Sequence, residues 1–392
     1  MIAYVTDVEG QWDKLASFAA GNPHVHLADD GTLELADGVT FVFGGDAIDR
    51  GPAGQKIVDV LLRAKQHYGA RVVLLAGNRD INKMRLRREL AGAPPAGAPT
   101  GSRADTLKWI FANTMGAPKA FAHRASELSA AGRASGDDTV AQSFLDDLAP
   151  GGALRSYLQA CQLGYREGAT LFVHGGVTGA NLGVVPGQPR VAGVDAWVAA
   201  LNEFYAHELA EFRDGRSPDA LIQYQAPHPG THENPDSVVY ARPTDDDGNP
   251  RLPPAEVVAR LRADGVTRVV LGHTPSGDCP ALLRDGEFEV VLADNSYSRR
   301  EHGSKVAMTD DRLWLAGETV LDGGEVRAVS CEVARGDAST PIGLRDRATG
   351  QLVKIALAGD GFLMFRGLPK HEVEQLAASR ADVAKRTLEP AR

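Results

Sequence analysis

Short apolar runs alternate with amphipathic stretches along most of the chain. Ile2–Thr6 (IAYVT), Phe41–Phe43 (FVF), Arg71–Leu75 (RVVLL), Thr170–Val173 (TLFV), Arg268–Leu271 (RVVL) and Phe288–Leu292 (FEVVL) are continuous apolar runs. Each is bounded by Asp, Gly or Asn, which is the pattern of buried strands. Between the second and third, Ile57, Val60, Leu61 and Ala64 recur at helical spacing. Pro254 in a first turn and Gly265 just past the end frame another helix over Ala255–Ala263. Strand and helix alternating in this way predict an α/β layered domain.

Two stretches break the alternation. Residues 81–165 contain no convincing strand; after the loop AGAPPAGAPTG, positions such as Val140, Phe144, Leu148 and Leu154, Tyr157, Leu158 read as helices. This predicts a helical insertion placed as a cap over a site. A second insertion, 195–253, begins helical and becomes the loop QAPHPGTHENPD. The core is then expected in two pieces, 1–80 and 166–310. Short alternating runs such as RLWLA and GEVRAVSCEV predict that 311–392 is a β-rich extension completing the sheet.

Composition narrows the class. An apolar share of 43% and a charged share of 24% fit a soluble globular chain rather than a disordered one. A net charge of −9 argues against a general nucleic-acid or anionic-membrane binder, leaving room for a local basic pocket. Cys161, Cys279 and Cys331 lie far apart without zinc spacing, so buried thiols in a reducing compartment are expected. No window reaches the ~18 apolar residues of a membrane helix. With Asp7 already following the first strand, no cleavable signal is expected, and the expected location is the cytoplasm. Oligomeric state is not legible.

The residues that follow the strands carry the chemistry. After the first come Asp7 and Glu9 (DVEG); after the second, GGDAIDRG with Asp46, Asp49 and Arg50. The third leads into GNRD with Asn78 and Arg79, the fourth into HGG with His174, and the fifth into GHTP with His273. The sixth runs into Asp294 and Asn295. Ligand sites in α/β sheets gather at the carboxyl ends of strands, so these oxygen and imidazole groups are expected on one rim. Singly, each motif reads as an ordinary turn; five in order at successive strand ends point to a metal site.

In that order the motifs resemble the calcineurin-like metallophosphoesterases, and GDAIDRG and FVHGG bring the chain nearest to the phosphoprotein phosphatase branch and its bacterial relatives. The resemblance implies a β-sandwich flanked by helices, with two divalent ions at the strand ends. It implies Asp7, Glu9 and Asp46 as ligands of the first ion, Asp46 as the bridge, and Asn78, His174 and His273 completing the second. Asp49, Arg50 and Arg79 would be catalytic, with Arg50, Arg79 and Asn78 also contacting substrate. A hydroxide bridging the two ions would attack phosphorus in line, and Arg50 would clamp phosphate oxygens.

Three departures from the family pattern bear on the chemistry. Glu9 stands where the family has histidine; an oxygen-rich first site favours manganese, magnesium or ferrous iron over zinc, unless Glu9 serves instead as a helix-capping carboxylate. Arg79 stands where the branch has a histidine supported by the equivalent of Asp49. Arginine keeps its proton near neutral pH, so it can neutralise charge but not act as the acid, and Asp49 is expected to pair with it. His228 and His232 are candidate replacement acids. Pro275 removes the second histidine of the GHxH form, and Asp294 and Asn295 could support His273 or contact substrate. The expected activity is hydrolysis of a phosphomonoester of a small metabolite, sugar or nucleotide. The alternatives are a nucleotide pyrophosphohydrolase or phosphodiesterase, a protein serine/threonine phosphatase, and a metal-binding relative without turnover.

Overall fold

The computed structural model describes residues 1–245, 250–295, 305–321, 324–337, 343–355 and 364–365. Six strands lead to the site: β1 (Ile2–Val5), β2 (Thr40–Phe43), β3 (Val72–Leu75), β4 (Thr170–Val173), β5 (Arg268–Leu271) and β6 (Phe288–Leu292). They coincide with the six apolar runs to within a residue at either end. Nearly every position is buried, which is why both faces of these strands are apolar.

The six divide between two sheets. β1 pairs in parallel with β2, and β2 with β3, which continues to Cys161–Gln162. On its other side β1 pairs antiparallel with Lys305–Met308, in the register Ile2 to Met308. Arg312–Val320, Val326–Ala334, Leu344–Asp346, Leu352–Ile355 and Met364–Phe365 then extend the same sheet, each antiparallel to the last. The second sheet runs Ala281–Asp285, β6, β5, β4, Gly164–Glu167, with a parallel centre and antiparallel edges. Tyr4 of β1 stacks on Phe172 of β4 across the layers, with ring centroids 5.8 Å apart. The architecture is the α/β sandwich with flanking helices and a strand-rich C-terminal part that the family resemblance implies.

The helix Gly54–Tyr68 carries the chain from β2 to β3 and buries Ile57, Val60, Leu61 and Ala64. The helix Ala255–Ala263 precedes β5 and buries Val257, Val258 and Leu261. Between β3 and β4 the chain runs through a helical insertion with helices Arg103–Asn113, Ala120–Ala130, Asp137–Leu148 and Ala153–Ala160. Its helical part ends at Ala160, short of 165, because Cys161–Gln162 joins the first sheet and Gly164–Glu167 opens the second. The second insertion starts with Val194–Arg213 and Asp219–Tyr224. Trp109 is partly buried against the core, while Phe111, Tyr157 and Tyr205 lie inside it. No helix among the described residues is long and apolar enough to cross a membrane. Cys161 and Cys279 are buried free thiols, and Cys331 is a half-buried one. Residues 366–392 of the expected C-terminal extension lie outside the described residues.

A buried charge group ties the sheets together. Glu289 of β6 accepts from Arg268 Nε at 2.8 Å and lies 3.0 Å from Arg284 Nη2. Arg268 also donates to Thr309 O (2.9 Å) and Arg284 to Ala334 O (2.6 Å), both at ends of first-sheet strands. Removing the one anion would strand two buried guanidinium groups. Glu289→Ala is therefore expected to lower unfolding free energy by about 3–5 kcal/mol, measured by urea denaturation; a loss within experimental error would show that the backbone carbonyls alone hold the arginines.

Candidate metal centre

At the carboxyl ends of β1, β2 and β5 the backbone turns back through conformations that side chains resist. Among the described residues, the non-glycine positions with positive φ are Asp7 (51°), Glu9 (48°), Asp46 (58°), Asp49 (107°) and His273 (59°). Every one is a residue that the motifs single out. Such conformations cost of order 1–3 kcal/mol each and persist only where neighbours over-determine them. Here the neighbours are backbone hydrogen bonds: Asp7 N to Gly45 O (3.0 Å), Glu9 N to Asp46 O (2.9 Å), Gly10 N to Ala47 O (2.7 Å) and Arg50 N to Glu9 O (2.7 Å). Asp80 adds a hub beneath them. Its carboxylate accepts from the amides of Asp46 (2.9 Å), Ala47 (3.0 Å) and Gly77 (3.0 Å), fixing the β2 and β3 loops to each other. Gly77 has to be glycine, because a Cβ there would lie 2.1 Å from Asp46 Oδ1.

This frame brings Asp7, Asp46 and His174 together, one ligand atom from each lying within 4.8 Å of the others. His174 Nδ1 is 2.8 Å from Gly44 O, and a carbonyl only accepts, so the proton sits on Nδ1. Its Nε2 is left as a lone pair facing Asn78 Oδ1 (3.3 Å) and Asp46 Oδ1 (3.4 Å), the arrangement of a metal-ligating histidine. His273 sets Nδ1 2.9 Å from Asn78 Oδ1, and among the described residues its buried Nε2 meets no partner at full hydrogen-bond geometry. Its backbone amide donates to Asp7 Oδ2 at 3.1 Å.

The electrostatics ask for a cation. Burial pushes the Asp7 carboxyl well above its usual range, and Asp294 and Asp46 push it further. Glu9 is pushed up to about 7 by burial, against the pull of Arg79 and Arg50. Burial, then Arg242 and His174, hold His273 well below the ordinary histidine value. Buried carboxylates facing the Nε2 lone pair of His174 and the His273 ring form a donor set suited to a divalent ion.

The other expected residues fall into place differently. Arg50 and Arg79 line the same cleft as Asp7, Glu9, Asp46, Asn78, His273 and Asp294. Asn295 is buried and donates Nδ2 to Asp278 O (3.1 Å), outside the cleft lining. His228 and His232 are exposed and do not line the cleft; His228 lies 3.2 Å from Asp236 instead. Asp49 is gripped by Lys83, Nζ to Oδ2 at 2.6 Å, with Arg79 Nη1 more distant at 3.9 Å. The expected Asp49–Arg79 pair is therefore secondary, because Lys83 sits one turn past Arg79 and reaches Asp49 first.

Lys83, Lys14, Arg85 and Arg242 escaped the sequence reading. Lys14, nearly fully buried, donates to Asp7 O. The signal for both lysines is position, Lys14 beside inward-facing Leu15 and Phe18, and Lys83 four residues after Arg79. Arg242 donates Nη1 to His273 O (3.1 Å), and only the fold brings the segment VYARP beside GHTP.

Enclosed carboxylate and imidazole ligands between two sheets, at the ends of their strands, mark a metal-dependent hydrolase of the phosphoesterase type. The chain matches the calcineurin-like phosphoesterase family over residues 1–277 and belongs to that family. No curated protein matches it in sequence. Among solved structures it is similar to a cold-active protein-tyrosine phosphatase of a psychrophilic Shewanella species, with 16% identity, 83% of this chain and 79% of that one covered, and a TM-score of 0.46. It is also similar to a Saccharomyces cerevisiae protein serine/threonine phosphatase described as similar to human phosphatase PP5 (15% identity, 78% and 71% covered, TM-score 0.38). A metallophosphoesterase of Sphaerobacter thermophilus is similar over 97% of this chain and 93% of its own, with 10% identity and a TM-score of 0.32.

The raised carboxyls make the metal-free protein sensitive to pH. Asp7, Glu9 and Asp80, the last also pushed up to about 7 by burial and Asp46, hold their protons to higher pH when folded than when unfolded. A raised acid contributes stability below its unfolded value and loses it as pH rises through the folded one. The lowered His273 acts in the opposite sense, but only below its ordinary value of 6.5. Metal-stripped protein is thus expected to lose melting temperature between about pH 6.5 and 8, with added manganese restoring it at pH 8. A melting temperature that is flat or rising across that window without metal would contradict this account.

Proposed function

We propose that the protein is a metal-dependent phosphomonoesterase whose substrate is a small phosphorylated metabolite, with sugar phosphates and nucleotides as the first classes to try. The observation that carries this reading is the cleft of about 310 Å³, lined at once by Asp7, Asp46 and His273 and by Arg50, Arg79, Arg85 and Arg242. Four guanidinium groups around so small a space suit a phosphate dianion better than a singly charged diester. Thr114, Met115 and Gly116 reach the cleft from the helical insertion, and Gln225, Ala226 and Pro227 from the second one. That placement supports residues 81–165 as a cap, and a cleft lined by two insertions suits a metabolite better than a protein loop.

A divalent ion held by Asp7, Asp46 and His174 would supply Lewis acidity to water and to a phosphate oxygen. The chain's own groups do the positioning. Arg50 and Arg242 are placed to orient phosphate with their planar forks, and Arg242 is tied to the His273 carbonyl, as noted above. The Tyr240 ring packs 4.7 Å from that of His273 and limits its rotation. Lys83 and the Arg79 carbonyl, 2.9 Å apart, keep Asp49 and the start of the Asn78 helix in one arrangement.

The test is p-nitrophenyl phosphate hydrolysis by metal-stripped protein with and without manganese, followed by panels of sugar phosphates, nucleotides and phosphopeptides. Manganese-dependent release is expected. Asp46→Asn should lower it by on the order of 1,000-fold, and Arg242→Ala should lower kcat/KM by roughly tenfold to a hundredfold. Turnover confined to phosphopeptides would sink the small-substrate reading, and absence of turnover on every substrate would sink the enzyme reading.

A further inference from the structure

Two of the three departures from the family pattern, glutamate at position 9 and arginine at position 79, meet in space. Arg79 Nε lies 2.8 Å from Glu9 Oε1 and 3.5 Å from Asp46 Oδ2. Arg50 Nη1 approaches the other Glu9 oxygen at 3.4 Å. The Glu9 side chain is 4% exposed and that of Arg79 12%, so the contact is made with little water to screen it. Glu9 and Asp46 are two of the three carboxylates that the family resemblance assigns to the first ion. An ion held by those two would have to sit between the same oxygens that Arg79 Nε already faces.

The surroundings keep Arg79 there. Lys83 takes Asp49 at 2.6 Å, so the aspartate that supports the family's histidine is not the main counter-ion of Arg79. The Arg79 backbone amide donates to Asp46 Oδ1 (2.9 Å) and its Nη1 to Met115 O (3.3 Å), anchoring both ends of the side chain. The charges are complementary as well. A neutral histidine at position 9 would remove the anion nearest to Arg79, and a histidine at 79 would leave Glu9 with Arg50 alone. The third carboxylate, Asp7, belongs instead to the converging group with Asp46 and His174, of which Glu9 is not a member.

We propose that the Arg79 guanidinium takes the place of one of the family's two ions, so that this centre is built for a single divalent ion at Asp7, Asp46 and His174. The first-ion ligand set inferred from the motifs does not fit the structure, because its distinguishing member, Glu9, is committed to arginine. A fixed cation supplied by the chain cannot be stripped by chelators. It neutralises Glu9 and Asp46 while one exchangeable ion remains beside it. The inference rests on the metal-dependent reading only in requiring that one ion binds.

The test counts ions without turnover. Metal-stripped protein is saturated with manganese, separated from free metal and analysed for manganese per chain, and its low-temperature EPR spectrum is recorded. One manganese per chain with the six-line signal of an isolated ion is expected. Arg79→Gln, which keeps length and removes charge, and the double change Glu9→His with Arg79→His are each expected to raise the count from one to two and to produce an exchange-coupled signal. Circular dichroism identifies a variant that has not folded, and the wild-type count decides by itself. Two manganese ions per wild-type chain with a coupled spectrum would overturn this inference and leave the phosphatase reading standing. No manganese bound would overturn both.

Discussion

Four carboxylates, those of Asp7, Glu9, Asp46 and Asp294, are buried together where the two sheets meet. Most of the local structure can be understood as a response to their charge. Carboxylates at this depth are tolerated only when paired, hydrogen-bonded or metal-bound. The response comes from several elements. Lys14 sits beneath Asp7 on the helix Trp12–Ala20, Arg50 and Arg79 reach Glu9, and amide donors of the third loop and the fifth reach Asp46 and Asp7. The remaining demand falls on the cluster of Asp7, Asp46 and His174, which is left to a mobile cation from solution.

The same demand accounts for the backbone. A carboxylate can join such a cluster only if the chain reverses immediately after its strand, and the left-handed turns at Asp7, Glu9, Asp46 and Asp49 achieve that at the expense of local strain. Strain of this kind would relax if the loops moved independently. They do not, because Asp80 ties three amides from two loops to one buried carboxylate, and the β1 and β2 loops are hydrogen-bonded to each other along their length. The site is thus rigid on the side of its ligands. On the other side, where the two insertions meet the cleft, it is built from the segments around Thr114–Gly116 and Gln225–Pro227.

Much of this was legible in the order of residues. The strands could be read because each is a continuous apolar run, and the cluster of candidate ligands because each such run leads within three residues to Asp, Asn or His. The division into two sheets could not be read from alternation, which fits a single open sheet equally well. It depends on a crossing at Leu163 between two short strands too slight to show any period. His228 and His232 attracted attention by residue type, yet their loop is turned to solvent. Lys14, Lys83 and Arg242 were missed for a common reason. A lysine or arginine in a helix or loop reads as solvated surface until packing shows which carboxylate lies opposite it.

Position 79 shows how one substitution changes the meaning of its neighbours. With histidine there, Asp49 would be its support and an acid for the leaving group would lie at hand. With arginine the proton is fixed, so the residue acts as charge alone. Asp49 is then available to Lys83, and the pair becomes a buried strut that holds the Arg79 helix in place. Arg79 in turn requires an anion, which Glu9 supplies and a histidine could not. The motif letters at 9, 49, 79 and 83 therefore form one charge-balanced unit, Glu9 with Arg79 and Asp49 with Lys83, and a change at any one of them is a change in the environment of the ion-binding group beside it.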